Sequence, residues 1–459
     1  MLFSSLEFIF LFLPITLCVY YLTPKKCKNL VIFVSGVIFY AFGEIRLLSI
    51  FLLTIAIDFA FGLLIERTAQ KKALARALMV LAVIFNLSLL GYFKYFDLLR
   101  SSIFGLEPLG ILLPIGISFY TFQALSYVID VYRGEVRATR SFVSFGAYIA
   151  LFPQLIAGPI VKYSDIEQQL RERCLSLPLI SSGIRIFIAG LAKKVLLANS
   201  AGELFDSFSG TQSFLGAVFC VFFFGMQVYF DFSGYSDMAV GLGRMLGFEL
   251  VGNFDYPYIS RSVSEFWRRW HISLSSFFKE YVYIPLGGSR RGRARTALNL
   301  AIVWALTGIW HGAAWSFLLW GVYFAVLLIL EKLFLKKMLQ RAPRFLLHAY
   351  SLFFIFLGWL IFASDGVTLS SSQGLSLLSR LFFASGGSFA QKHELYLLVG
   401  AIPFIIILVL GSTPLPRRIY SFLTEKFSPL KAVLPFCAFV LSVAYIVSSG
   451  YNPFLYFRF

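Results

Sequence analysis

The sequence predicts an all-α integral membrane protein, a multi-pass bundle of roughly 10–13 helices with re-entrant segments. Three observations carry this. The 459 residues are 59% hydrophobic and only 14% charged, well outside the range of soluble domains. The apolar residues come in blocks long enough to cross a hydrocarbon core of roughly 30 Å. The basic residues that give a net charge of +17 sit in short loops between those blocks, as the positive-inside rule demands. They form no groove-like run with interleaved aromatics, so nucleic acid is not an expected partner. The five cysteines are scattered, with no CxxC pair and no Cys/His cluster, and no metal site is expected.

The elements follow in order. Residues 1–22 lack Lys and Arg and so lack the basic region of a cleaved signal peptide; they read as a retained first span. That span runs inward to Lys25, Lys26 and Lys28. Residues 30–43 return, 47–65 run in to Arg67, Lys71, Lys72 and Arg76, and 77–93 run out. Residues 111–130 come in to Arg133, Arg137 and Arg140. Blocks near 142–160, 181–198 and 212–230 are interrupted by Pro153, Pro159 and the Lys193/Lys194 pair, and read as broken or re-entrant helices. Their orientation stays open. Residues 250–296 mix Arg and Lys with Trp and Tyr, which is interfacial chemistry, and end in a cytoplasmic cluster that includes Arg290, Arg291, Arg293 and Arg295. Residues 345–363 run out, a Ser/Gly-rich loop covers 364–394, 395–411 run in to Arg417 and Arg418, and 432–449 run out. Both ends of the sequence then lie on the outer face. No internal repeat is visible, and the chain reads as one membrane domain over residues 1–459.

Residues 297–330 carry no formal charge and are flanked by basic clusters on both sides. As one helix of about 34 residues they would be about 51 Å long, too long for the core. The block must therefore go in and come back, which puts His311 and Gly312 at the deep turn. An imidazole there costs free energy unless it faces a cavity or a partner, so His311 is a functional candidate. The plain alternative is a hydrogen-bonded packing histidine. A neutral imidazole has an ordinary pKa of about 6.5 and can take a proton from a hydroxyl. No Ser-His-Asp arrangement or phosphate-binding loop stands near it.

His271, in "RRWHISLSS", reads equally as a neighbour of the active site or as a structural anchor, because arginines around it suit an anionic substrate or lipid headgroups alike. His348 and His393 read as interfacial. Asp231 and Asp237, in "MQVYFDFSGYSDMAVGLGRMLG", are carboxylates in apolar surroundings; the plain alternative pairs them with Arg244 or nearby backbone. Such carboxylates would also suit a multi-pass transporter or flippase, but no two matching halves are seen.

"GIWHGAAWSFLLWG" resembles the membrane-bound O-acyltransferase (MBOAT) superfamily, whose hallmark is a membrane-embedded histidine. "LPIGISFYTFQALSYVIDVYRG", "LFPQLIAGPI", "MQVYFDFSGYSDMAVGLGRMLGF" and "FWRRWHISLSSFFKEYVYIPLGG" are similar, in order, to its bacterial branch that acylates exported polysaccharides. The resemblance implies a funnel-like helical bundle with His311 as catalytic histidine and His271 as second motif histidine. It implies acetyl-CoA as cytosolic donor, its phosphates met by Arg268, Arg269, Arg290 and Arg291. It also implies an extracytoplasmic SGNH-type, esterase-like transferase partner, and a cell-envelope polysaccharide such as peptidoglycan or alginate as final acceptor. A D-alanyl transfer from a carrier protein is the alternative within the family. The last residues, 454–459 ("FLYFRF"), resemble an F-x-Y-F-x-F motif whose tyrosine is thought to carry the acyl group. Tyr456 is therefore a candidate relay: a phenol, with a pKa of about 10, leaves nearly as readily as a thiol of about 8.5. The plain alternative for Tyr456 is an aromatic anchor at the membrane interface.

Overall fold

The structure is a computed structural model that describes residues 1–382, 388–450, 452, 454 and 455. Among the described residues every regular element is a helix. Among the described residues eight helices are long and apolar enough to cross a membrane, and the chain is a multi-pass membrane protein. It divides into two compact units, residues 1–191 with 235–251 and residues 192–234 with 252–459.

The first unit opens with a π-helical turn Phe8–Phe12 running into α1 (Leu13–Leu22). It continues with α2 (Lys28–Gly43), α3 (Leu48–Arg67), α4 (Lys72–Ser102) and α5 (Ile117–Arg133). Helices α3, α4 and α5 pack on one another. The block near 142–160 is broken as its prolines predict: α6 (Phe142–Ile149) and α7 (Phe152–Leu155) are separate short helices, and α2 packs against both. The core here is aromatic, with Phe3, Phe8, Phe12, Phe39 and Phe152 in mutual ring contact. Among its buried polar groups, Asn86 Nδ2 donates to Asp58 Oδ1 at 2.7 Å. α8 (Tyr163–Arg171) and α9 (Leu177–Ala192) complete this part of the chain.

Helix α9 runs on through a π-helical stretch, Lys193–Ala198, into α10 (Asn199–Phe208). Helix α11 (Phe214–Met245) is 32 residues long, so the apolar block expected at 212–230 extends through the whole "FDFSGYSDMAVGLGRM" motif. Its most apolar window is 72% buried, against 33% or less in the other candidate spans. It is a core helix rather than a lipid-facing one.

In the second unit, the mixed segment 250–296 forms short pieces: α12 (Val263–Arg269), α13 (Ile272–Phe278) and a π-turn Lys279–Tyr283. The uncharged block then turns back on itself as α14 (Gly292–His311) and α15 (Trp315–Leu330), as its length requires. The two helices approach closely where Gly308 faces Gly321. A Cβ on Gly308 would lie 2.3 Å from the Phe317 carbonyl oxygen, and one on Gly321 2.4 Å from that of Trp304, so only glycine permits the crossing. After α16 (Lys336–Arg341), α17 (Arg344–Ala363) packs on α15. The 364–394 stretch expected to be loop contains α18 (Ser371–Leu381), started by a Ser370/Gln373 capping box. Helices α19 (Lys392–Gly411), α20 (Leu415–Lys426) and α21 (Leu430–Ser448) follow, and α21 packs against the Lys193–Ala198 stretch.

Candidate functional site

His311 is the last residue of α14; the backbone turns extended at Gly312. A Cβ at Gly312 would meet the Phe317 ring at 2.2 Å, so the turn closes against the start of α15. This leaves the imidazole 7% exposed, in ring contact with Trp310 and Trp320, both at 5.0 Å, and with Phe362 at 5.4 Å. It lines a cavity of about 20 Å³ with Val228, Asp231, Phe232, Trp270, Trp320, Trp359 and Leu455, room for about one water molecule. The walls are largely apolar. Among the described residues, Asp231 and His311 are the ionisable ones in the lining.

The cage draws on α11, α14, α15 and α17, with Trp270 at the end of α12. Trp359 Nε1 donates to Tyr258 Oη at 3.0 Å, and Tyr258 Oη donates to the Gly225 carbonyl at 2.6 Å, which fixes one wall. Trp267 packs on Trp304, Trp320 and Phe324. The Glu331 carboxylate accepts the main-chain N–H groups of Val263 and Ser264, each at 2.7 Å. It thereby caps α12, the helix that delivers Trp267 and leads into Trp270.

Asp231 is buried with Lys194, at 3.0 Å. The expected partner Arg244 donates instead to Ser182 Oγ at 2.6 Å. Charge at 193/194 marks an interruption in the sequence, but it does not say which helix supplies its partner; helix pairing decides that. The second carboxylate oxygen of Asp231 accepts the N–H of Leu455 at 2.9 Å, and Phe454 and Leu455 are both buried. Thus residues just before Tyr456 reach the cavity wall. Tyr456 itself lies outside the described residues.

His271 does not line the cavity. It stands behind it, in ring contact with Phe232 at 4.7 Å and with Trp310 at 5.9 Å. Its φ of +45° lies in the left-handed region, which a non-glycine side chain rarely adopts. Asn253 Oδ1 accepts both Ser273 N (3.0 Å) and Ser273 Oγ (2.9 Å) and stands 3.3 Å from His271 Nδ1. The atom that accepts a main-chain N–H must be the oxygen, so Nδ1 carries the proton and Nε2 holds the lone pair. Burial pushes the imidazole down to about 3, so it is neutral at physiological pH.

Arg269 already has partners, Asp255 at 2.8 Å and Glu265 at 3.1 Å. Arg268, Arg290 and Arg291 are exposed. His348 Nδ1 stands 3.1 Å from the Ser260 carbonyl, a structural contact, and His393 is exposed. Sequence reasoning missed the tryptophan cage and Lys194. Six of the seven tryptophans fall at or beside this site, and their crowding between 267 and 320 was a visible but unread signal.

A profile of the MBOAT, membrane-bound O-acyltransferase family, matches residues 34–372. Over its whole length the chain is 36% identical to the probable alginate O-acetylase AlgI of Azotobacter vinelandii, itself covered completely. It is 30% identical to the peptidoglycan O-acetyltransferase of Helicobacter pylori, over all of this chain and 98% of that one. The teichoic acid D-alanyltransferase of Bacillus subtilis is 27% identical over 48% of this chain and 60% of its own length. A match of this extent, over a membrane-helical chain with a buried histidine at a helix turn, makes the chain a member of the membrane-bound O-acyltransferase family.

Proposed function

We propose that this chain is a bacterial inner-membrane O-acetyltransferase that takes an acetyl group from cytosolic acetyl-CoA and delivers it across the membrane through Tyr456. An SGNH-type transferase on the outer face passes it to a cell-envelope polysaccharide, peptidoglycan or an alginate-like polymer. The observation that carries this is the shared cavity: His311 and Leu455 line the same small apolar chamber, and the next residue in the chain is Tyr456.

In this reading His311 takes the phenolic proton of Tyr456, and the phenolate oxygen attacks the thioester carbonyl. The C–S bond breaks, and the departing CoA thiolate recovers the proton from the imidazolium. An apolar chamber with space for about one water disfavours hydrolysis of the thioester and of the phenyl ester. The neutral His271, with its lone pair on Nε2, serves behind Trp310 and Phe232 as a positioning residue. Phosphate binding falls to Arg268, Arg290 and Arg291, since Arg269 is matched by carboxylates. Names of relatives support acetyl over D-alanyl transfer, because the acetylating ones match along the full chain.

Purified protein incubated with labelled acetyl-CoA, trapped in denaturant and mapped by peptide mass spectrometry tests the reading. Label on Tyr456 in the wild type and none in His311→Ala supports it. No label in either protein, with no CoA released when an outer-face acceptor is supplied, overturns the acetyl-CoA donor; label from a D-alanyl carrier protein would then identify the alternative donor.

A further inference from the structure

The buried Lys194–Asp231 pair has a second set of bonds that the proposed chemistry does not use. Lys194 Nζ donates to Asn199 Oδ1 at 2.7 Å, and Asn199 Nδ2 donates to Asn452 Oδ1 at 3.3 Å. Asp231 receives the N–H of Leu455 at 2.9 Å. The two ends of the stretch 452–455 are therefore held by one connected network. Helix α21, which leads into that stretch, is tied to the same region: Tyr445 Oη donates to Glu203 Oε1 at 3.1 Å and stands 3.3 Å from Ser200 Oγ. The π-helical stretch Lys193–Ala198 sits at the centre of these contacts, and such insertions in a helix frequently mark functional positions.

We propose that Lys194, Asp231 and Asn199 form a clamp that sets the register of residues 452–455 and so presents the following residue to the His311 cavity. The clamp grips a main-chain N–H, which does not depend on the side chain at 455, so it fixes position rather than identity. Asp231 supplies the acceptor. Lys194 pairs with that acceptor at 3.0 Å and reaches Asn199 with its remaining donors. Charge-assisted bonds of this kind are stronger than neutral ones, and in the absence of water they are also directional. The proposal rests on the reading of Tyr456 as acceptor for its purpose, but not for its existence.

A buried ion pair broken on one side leaves an uncompensated charge, whereas replacing both partners by neutral groups is often tolerated. Two double variants exploit this. Lys194→Met with Asp231→Asn retains an acceptor at 231; Lys194→Met with Asp231→Leu removes it. Hydrogen–deuterium exchange on the full protein in nanodiscs, resolved to single residues by electron-transfer fragmentation of peptides covering 446–459, reports the Leu455 amide. The clamp predicts exchange roughly tenfold faster in the Leu variant than in the Asn variant, with the two melting alike. Equal exchange in the two variants overturns it, as does fast exchange in the wild type. Leu455→Pro, which removes the N–H and leaves the charge pair intact, should lower the initial rate of Tyr456 acetylation roughly tenfold further than Leu455→Ala, which truncates the same side chain but keeps the N–H. The acetylation readout separates the two ideas. Protection that depends on the acceptor at 231, with no label on Tyr456 in any protein, keeps the clamp and removes the relay; label on Tyr456 that is indifferent to Leu455→Pro keeps the relay and removes the clamp.

Discussion

At the scale of the residue, the site turns on two histidines in different circumstances. His311 faces a chamber and packs against the rings of Trp310, Trp320 and Phe362. Replacing it by Gln keeps the volume and removes the imidazole; under the proposed mechanism transfer should fall about 10²–10⁴-fold, as for loss of a general base. The melting temperature should stay close to wild type, measured by thermal unfolding in detergent. His271 is held neutral by burial, its imidazole pushed down to about 3. A histidine whose folded value lies below its unfolded value of about 6.5 contributes stability that is fully present above that pH and is lost on acidification. Melting temperatures taken from pH 8 down to pH 5 should therefore fall more steeply for the wild type than for His271→Gln. Parallel curves would contradict burial of a neutral ring at 271.

At the scale of the element, the hairpin α14–α15 and the cap on α12 position the chemistry. Gly308→Leu places a side chain where the Phe317 carbonyl lies 2.3 Å from an added Cβ. The helices must separate, at a cost of about 1–3 kcal/mol, and His311, three residues on, moves with α14. Loss of transfer together with a lowered melting temperature is the expected outcome. Glu331→Ala strands the buried N–H of Val263 and the partly buried N–H of Ser264 at the start of α12, worth about 1–3 kcal/mol in destabilisation. Because α12 leads to Trp270 in the cavity wall, the variant should also shift tryptophan fluorescence. An unchanged spectrum would show that α12 holds its place without the cap.

At the scale of the whole molecule, the distribution of basic loops sets the orientation. Lys25, Lys26 and Lys28 flank Cys27, which is exposed. With Cys27 as the only cysteine left, a membrane-impermeant maleimide should label it in inside-out vesicles and not in intact cells. Labelling of intact cells would invert the topology, and with it the outer-face position that the relay through Tyr456 needs.

Much of this architecture was legible in the chain. The bounds of α2, α3, α17, α19 and α21 follow from apolar length, because a helix in lipid must satisfy its own backbone over a fixed thickness. The 297–330 turn, with His311 at its apex, follows from the same constraint, since an uncharged block with basic flanks on both sides cannot cross once. The stretch 364–394 was misread because a short capped helix with a polar face has a loop's composition. Composition also understated α11, whose Asp, Ser and Gly residues end an apolar run without ending the helix; buried on most sides, it meets partners rather than lipid. What only the tertiary structure decided is which distant groups meet. That Asp231 pairs with Lys194 and not Arg244, that Leu455 bonds the same carboxylate, and that Trp270, Trp320 and Trp359 wall one chamber all depend on helix packing. Hydropathy along a chain is a one-dimensional quantity set by the membrane; the pairing of buried polar groups is set by which helix faces touch, and a single sequence carries no direct record of that.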